Sequence, residues 1–309
     1  MYPLKLKSVL KDIIWGGTAL SEKYGKGTAG QKIAEAWVLS CRADGENIIE
    51  NGDLAGKPLS IIYKDKNAFP LLIKLIDAHD KLSVQVHPND EYAKKEGLPA
   101  GKTEMWYILD AKPGAKLVYG LKKDIDLSND NLKLAAKNGT LEQYLNFREV
   151  KKGDVLFIPS GLVHAIGDGI LIAEVQQNSN TTYRIYDYGR KDANGKCREL
   201  HIDKAAEVID RSLPVSDTSV CITEKSDAVL RETLCSCDYF TVEKLNLNRY
   251  EYEISSDKML FALCTEGCGE FSHEGSRYKF VKGDGYLFPA GIGKFSIISD
   301  ECELLFAYK

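Results

Sequence analysis

The chain has 309 residues, of which 44% are hydrophobic and 28% are charged, a balance typical of a soluble globular protein with one large or two ordinary domains. Its 41 basic and 45 acidic residues give a net charge of −4 without a basic block, which argues against a nucleic-acid partner. The sequence has no apolar run of 18 residues and no signal-peptide pattern, so we expect neither a membrane partner nor secretion. The eight cysteines form no C-x-x-C pair, and we interpret them as reduced thiols of a cytoplasmic protein.

Short strand-like segments bounded by turn residues dominate the chain. In chain order they are 32–40, 71–76, 82–87, 104–110, 116–120, 155–161, 171–177, 181–188, 240–245, 251–254, 259–264, 277–281 and 285–291. This regular spacing predicts a mostly β fold of the sandwich or barrel type. Helical spacing occurs in three places only, which are residues 89–97, 128–146 and 201–211.

The second helical region predicts a small helical insertion near residues 122–146. Ser128 and Thr140 stand where N-caps are expected, and Thr140 and Gln143 have the spacing of a capping box. Gly139 lies between the two. We therefore predict two short helices that are separated at this glycine.

Segments 151–166 and 281–296 repeat one pattern at an offset of 130 residues. Both contain Lys, Gly, Asp, Pro and Gly at matching positions, which predicts a turn, a strand and a second tight turn. Five identities in register indicate two β-barrels of one kind, which we place at residues 1–230 and 231–309. The first copy, in its G-x5-P-x-G-x2-H pattern, resembles a signature of the cupin superfamily.

The two copies differ at the position that matters most for metal binding. The first copy ends in His164, whereas the second has Lys294 at the matching position. A lysine ammonium has no lone pair at neutral pH and does not ligate a metal ion. We therefore expect the second barrel to be a degenerate copy that binds no metal.

Four polar side chains in the first barrel are candidate metal ligands. Gln85 and His87 are two residues apart in a strand-like segment and would face one side of it. Glu104 opens an apolar run, and His164 follows a P-x-G turn. Each has an alternative interpretation as a solvated strand residue or a core histidine. Together their nitrogen and oxygen atoms predict a divalent metal ion, zinc first, with iron, manganese or cobalt as alternatives.

Three further residues are candidates for catalysis. Glu174 lies ten residues after His164 and ten before Arg184, so both side chains can reach the mouth of the barrel if the intervening strands pair. Their alternative is a structural Glu–Arg ion pair. Lys102 lies two residues before Glu104 and would share its face, although a lysine in a G-K-T turn is commonly an ordinary surface residue.

These motifs resemble those of the mannose-6-phosphate isomerase family, in its short bacterial form. The resemblance covers most of residues 10–190 and is carried by IIWGG, AEAWVLS, FPLLIKLIDAHDKLSVQVHPND, GKTEMWYIL, GDVLFIPSGLVHAI and NSNTTYRIYDYGR. It implies two cupin jelly-roll β-barrels with a small helical insertion in the first. The large helical domain of the long family members is absent from this sequence, which leaves the phosphate contacts open.

The resemblance implies a zinc-dependent isomerase that interconverts mannose 6-phosphate and fructose 6-phosphate through an enediol. One Zn²⁺ per chain would be bound, and the implied ligands are Gln85, His87, Glu104 and His164. The implied pocket residues are Arg184, Lys102 and Glu174. Either of the last two is a candidate for the base that carries the proton.

Two alternatives to this function come from the same superfamily. A metal-dependent cupin dioxygenase typically has His-x-His where this chain has Gln85 and His87. A non-catalytic sugar-binding cupin often loses ligands, as the C-terminal copy does, but the first copy keeps all four. Formation of fructose 6-phosphate from mannose 6-phosphate would distinguish the isomerase from both.

Overall fold

Antiparallel strands form most of the molecule. The computed structural model describes residues 1–66, 68–122, 128–191, 194–213, 215 and 218–309, with the backbone alone at 249 and 250. Strands account for 47% of the structure and helices for 13%, which confirms the predicted mostly β fold. The strands are Leu4–Lys7, Val9–Lys11, Glu35–Leu39, Cys41–Arg42, Gly45–Glu46, Ile48–Ile49, Leu71–Ala78, Val84–Val86, Glu104–Ala111, Lys116–Leu121, Leu145–Glu149, Val155–Ile158, His164–Ala165, Ile170–Gln177, Tyr183–Tyr186, Cys221–Lys225, Val229–Ser236, Thr241–Ser256, Leu260–His273, Ser276–Val281, Gly285–Phe288 and Gly293–Tyr308. The α-helices are Ala19–Lys23, Asp90–Lys95, Asn129–Asn138 and Ile202–Val208, and the 3₁₀ helices are Gly52–Leu54, Leu59–Ile61 and Leu141–Tyr144.

Two sheets face each other in the N-terminal unit. The five-stranded sheet has the order 145–149, 116–121, 164–165, 84–86 and 183–186. The six-stranded sheet has the order 155–158, 104–111, 170–177, 71–78, 35–39 and 9–11. Apolar side chains from both sheets, among them Trp106, Tyr119 and Ile172, form the core between them. Because side chains alternate across a strand, polar residues of the inner faces are brought into the same interior.

Helices cover the outer face of the five-stranded sheet. Leu132 of the insertion and Ala205 of the last α-helix pack against Val84 and Val118 of the sheet. This arrangement places the helices on the side of the sheet away from the core. No helix within the described ranges combines the length and the hydropathy that a membrane span requires.

The helical insertion matches the prediction in part. Ser128 Oγ accepts a hydrogen bond from Asn131 N at 3.2 Å, and Gly139 ends the helix in the left-handed region with φ 71°. Thr140, however, begins a 3₁₀ helix of four residues and makes no side-chain cap bond, so the predicted capping box is wrong. One short 3₁₀ turn gives few orphan N–H groups to cap. Positions 123–127 of the predicted insertion lie outside the described residues.

The C-terminal unit is one nine-stranded sheet that also takes strands from the start of the chain. Leu4–Lys7 pairs with Gly285–Phe288, with Leu4 opposite Leu287. Ile48–Ile49 extends the same sheet by pairing with Leu4–Lys7. The domain boundary at residue 230 stays a prediction, and hydrogen-bonded pairing crosses it.

The two units share a large apolar interface. Met105, Tyr107 and Val175 project from the outer face of the six-stranded sheet and pack with Phe261 and Leu305 of the C-terminal unit. These side chains are almost fully buried, and burial of a large apolar side chain stabilises a fold by about 1.5–3 kcal/mol. The C-terminal unit therefore covers a face that would otherwise be exposed to water.

The internal repeat has a structural counterpart. Gly153 and Gly283 begin the two copies with φ values of 92° and 93°, a conformation that favours glycine. Each copy then continues into a strand, at Val155–Ile158 and Gly285–Phe288. At the last position His164 is fully buried, whereas the Lys294 side chain is 72% exposed and lies 3.0 Å from Glu253.

Candidate metal centre and active site

Three of the four predicted ligands meet between the two sheets of the N-terminal unit. His87 Nε2 lies 3.1 Å from His164 Nε2. Glu104 Oε2 is 3.6 Å from His87 Nε2, and Glu104 Oε1 is 3.4 Å from His164 Nε2. Among the residues that the structure describes, no other group of three His, Cys, Asp or Glu side chains converges in this way. All three side chains are buried.

The local backbone explains why these side chains converge. Glu104 opens a strand that pairs with Val155–Ile158, opposite Ile158, while His164 follows the tight turn that leaves that strand. Gly161 makes the turn with φ 90°, and its N–H donates to His87 O at 2.9 Å. One glycine thus joins the two histidine-bearing segments through the main chain.

The surroundings favour the neutral form of both histidines and the ionised form of the glutamate. Burial lowers the pKa of His87 to about 3 and also lowers the pKa of His164. His164 Nδ1 donates to Leu162 O at 2.8 Å, which leaves the lone pair on Nε2. Burial opposes ionisation of Glu104, but the charge of Lys102, whose Nζ is 2.8 Å from Glu104 Oε2, holds the pKa of Glu104 well below its usual range.

This set of donors fits a divalent metal ion. Glu104 Oε2 has Lys102 Nζ beside it at 2.8 Å, whereas Oε1 has neither a hydrogen bond nor a lysine partner among the described residues, and a buried polar atom in that state is costly. Ligand atoms about 2.0–2.2 Å from a tetrahedral zinc ion lie roughly 3.3–3.6 Å from one another. The three distances of 3.1, 3.4 and 3.6 Å in the cluster are close to that spacing.

Gln85, the fourth predicted ligand, lies beside the cluster. Its Cα is the register partner of His164 on one side and of Arg184 on the other. Its half-buried side chain lines a cavity of about 570 Å³ that adjoins the cluster. Its role as a ligand stays a prediction.

All three predicted catalytic residues line the same cavity, which brings Lys102, Glu174 and Arg184 together. The alternative of a Glu174–Arg184 ion pair is not formed in the described part of the chain. Glu174 Oε1 lies instead 3.0 Å from Lys74 Nζ, and Glu174 Oε2 accepts a hydrogen bond from Trp106 Nε1 at 3.0 Å. Arg184 is therefore free of a carboxylate partner among the described residues.

Lys74 is a site residue that the sequence did not predict. It is buried in the strand Leu71–Ala78, between Glu174 at 3.0 Å and Glu35 at 3.8 Å. Burial lowers the pKa of Lys74, but the charges of the two carboxylates outweigh burial and raise it. Burial, and then the charge of Glu104, raise the pKa of Glu174. The one available signal was a lysine inside an otherwise apolar strand, since lysine is almost never fully buried unless it is paired.

Neutral groups hold the Arg184 guanidinium. Nε donates to Ser83 Oγ at 3.2 Å, and Nη1 donates to Glu199 O at 2.8 Å. The main-chain N–H of Arg184 donates to His201 Nδ1 at 3.2 Å. None of these partners is anionic, so no carboxylate neutralises Arg184 by direct contact among the described residues.

Known proteins resemble this chain over nearly all of its length. Family models match at residues 3–114, described as the catalytic domain of type I phosphomannose isomerase, and at residues 231–309, described as the cupin domain of mannose-6-phosphate isomerase. Mannose-6-phosphate isomerase ManA of Bacillus subtilis is 41% identical over 306 residues, which cover 96% of this chain and 95% of that protein. Mannose-6-phosphate isomerase of Streptococcus mutans is 34% identical and is covered to 96% in both chains.

A solved structure shows the same likeness in three dimensions. The crystal structure of mannose 6-phosphate isomerase from Bacillus subtilis superposes with a TM-score of 0.91 at 33% identity and covers 100% of both chains. Likeness of this extent confirms both the cupin fold and the predicted family resemblance. The chain is an isomerase and belongs to the mannose-6-phosphate isomerase family.

Proposed function

We propose that this chain is a zinc-dependent aldose–ketose isomerase that interconverts mannose 6-phosphate and fructose 6-phosphate through an enediol. The single observation that carries the proposal is the buried cluster of His87, Glu104 and His164. It lies beside a cavity that is lined by the side chains of Glu174, Lys102 and Arg184. The family of the chain supports the reaction. A sugar phosphate is the substrate that this reaction requires.

In this proposal Gln85, His87, Glu104 and His164 hold one zinc ion. Two neutral imidazoles with one carboxylate and one amide oxygen are nitrogen and oxygen donors of the kind that zinc accepts. When bound, the metal supplies Lewis acidity that polarises the sugar carbonyl. Lys102 keeps Glu104 ionised from 2.8 Å away, which maintains the anionic ligand of the set.

Glu174 is the residue that we propose to move the proton between C1 and C2. A general base works best when its pKa lies near the operating pH, and the raised pKa of Glu174 shifts it in that direction. Trp106 donates a hydrogen bond to one carboxylate oxygen, and the Lys74 ammonium is ion-paired with the other, at 3.0 Å each. Lys102, the other candidate, forms an ion pair with Glu104. We therefore do not assign it the role of base, and we propose that its ammonium donates hydrogen bonds to the sugar oxygens.

Arg184 is proposed to stabilise the negative charge of the enediolate by gripping a sugar oxygen. Arg184→Lys keeps the charge but loses the planar fork of donors. We expect this variant to fold and to retain its metal, with kcat reduced at least about tenfold, which corresponds to about 1.4 kcal/mol. Steady-state kinetics with metal analysis measure both quantities. Wild-type kinetics in the variant would return Arg184 to a structural role.

The reaction itself is tested by a coupled assay for fructose 6-phosphate. We expect the purified chain to form fructose 6-phosphate from mannose 6-phosphate without taking up oxygen. Oxygen consumption with bound iron would instead favour the dioxygenase alternative. Binding of the sugar phosphate without conversion would favour the non-catalytic cupin.

A further inference from the structure

The cavity beside the metal cluster is lined by two guanidinium groups. Arg184 and Arg198 both line it. The charges that act most on Arg184 come from Arg198, Asp187 and Arg190, whereas those that act most on Glu104 come from Lys102 and the two histidines. The two arginines therefore lie near each other on the cavity wall, and Lys102 forms the part of the wall next to Glu104 of the metal cluster.

Asp187 fixes Arg198 in place. Arg198 Nε donates to Asp187 Oδ2 at 2.8 Å and Nη2 donates to Oδ1 at 2.6 Å. This bidentate pairing holds the plane of the guanidinium and leaves Nη1 without a partner among the described residues. Asp187 is buried and also accepts from Arg190 Nη2. One carboxylate is thus shared by two arginines, and the group keeps one positive charge.

The remaining cations of the cavity have partners of their own. Lys74 and Lys102 form the ion pairs with carboxylates described above. Lys11 donates to the main-chain carbonyl of Asp44 at 2.7 Å, which is a neutral partner like those of Arg184, so Lys11 adds to the positive charge of the cavity. The surplus positive charge near Arg198, together with that of Arg184, matches the charge of a phosphate dianion.

We propose that Arg198 binds the phosphate group of the substrate and that Asp187 is its positioning residue. This inference rests on the proposed function, because it needs a phosphorylated sugar in the cavity. A planar guanidinium suits phosphate because it offers parallel N–H donors. Arg198 is accordingly a specificity-determining residue, which selects sugars that carry a phosphate.

Arg198→Ala and Arg190→Ala form a matched pair for the test. Both arginines bind Asp187 and line a second cavity of about 720 Å³, but only Arg198 also lines the catalytic one. We expect Arg198→Ala to raise KM for mannose 6-phosphate about tenfold or more, with kcat and metal content little changed. Inorganic phosphate should bind Arg198→Ala at least about tenfold more weakly by calorimetry. Arg190→Ala should keep wild-type KM and phosphate affinity.

Equal changes in both variants would overturn the proposal, since Arg198 would then act only through the fold. No change in either variant would also overturn it, since Arg198 would then not contact the phosphate. Should Arg198→Ala fail to fold, Arg198→Gln keeps one donor for Asp187, and the same loss of phosphate affinity is expected of it. A wild-type chain that turns over no mannose 6-phosphate would count against the proposed function. Calorimetry with phosphate would still decide the role of Arg198.

Discussion

His164→Ala is expected to abolish both metal binding and turnover. The variant loses the nitrogen that faces His87 and Glu104, and the remaining side chains hold a metal ion with one strong ligand fewer. We expect the bound metal to fall from about one equivalent per chain to a small fraction, and kcat to fall at least about 10³-fold, because several kcal/mol of Lewis-acid stabilisation are lost. Elemental analysis and the coupled assay measure the two effects.

His273→Ala is the control for loss of a buried histidine. His273 is buried in the C-terminal unit, where its Nε2 lies 3.0 Å from Ile292 O. We expect this variant to keep its metal and its kcat, although it loses some stability. If His164→Ala keeps its zinc and a near-normal kcat, the metal-site assignment is wrong.

Glu174→Gln is expected to reduce kcat about 10³-fold while the metal remains bound, since a general base typically contributes about 10²–10⁴-fold. Glutamine keeps an oxygen that accepts from Trp106 but accepts no proton. The change also leaves Lys74 with only Glu35 as a carboxylate partner, at 3.8 Å. Breaking a buried ion pair in this way lowers the free energy of unfolding by roughly 3 kcal/mol or more.

The double variant Lys74→Met with Glu174→Gln separates catalysis from stability. Removing both charges avoids an uncompensated buried cation, so we expect the free energy of unfolding to recover while kcat stays low. Glu303→Gln is the control outside the site, because Glu303 accepts from Tyr107 and Thr265 hydroxyls near the unit interface. Wild-type kcat in the Glu174 variant would move the role of base to another group.

Local patterns in the sequence predict much of the fold. The glycines of the repeat adopt positive φ because the turns require it, and the first copy places His164 in the interior while the second leaves Lys294 exposed. Pairing between segments that are far apart in the sequence cannot be predicted from local patterns. The strand Leu4–Lys7 joins the C-terminal sheet because Gly285–Phe288 offers it an edge, and no residue near position 4 reveals this.

In the candidate site, too, local patterns predict some residues, whereas others depend on contacts between distant segments. Gln85 and His87 could be predicted from strand alternation, and Glu104 and His164 from their positions beside turns. Lys74 was missed because its carboxylate partner lies one hundred residues away in sequence. Arg198 was missed for a similar reason, since its place in the cavity depends on how Asp187 folds back toward it. Ion pairs between separate strands leave no periodic trace in a sequence.

We propose that one divalent metal ion, held between the two N-terminal sheets, supports the isomerisation. The most direct measurement follows fructose 6-phosphate formation in wild-type protein that has been stripped with a chelator and then titrated with zinc. We predict no turnover in the stripped protein and full recovery at about one equivalent of zinc per chain. Undiminished turnover in protein shown to be free of metal would contradict the account.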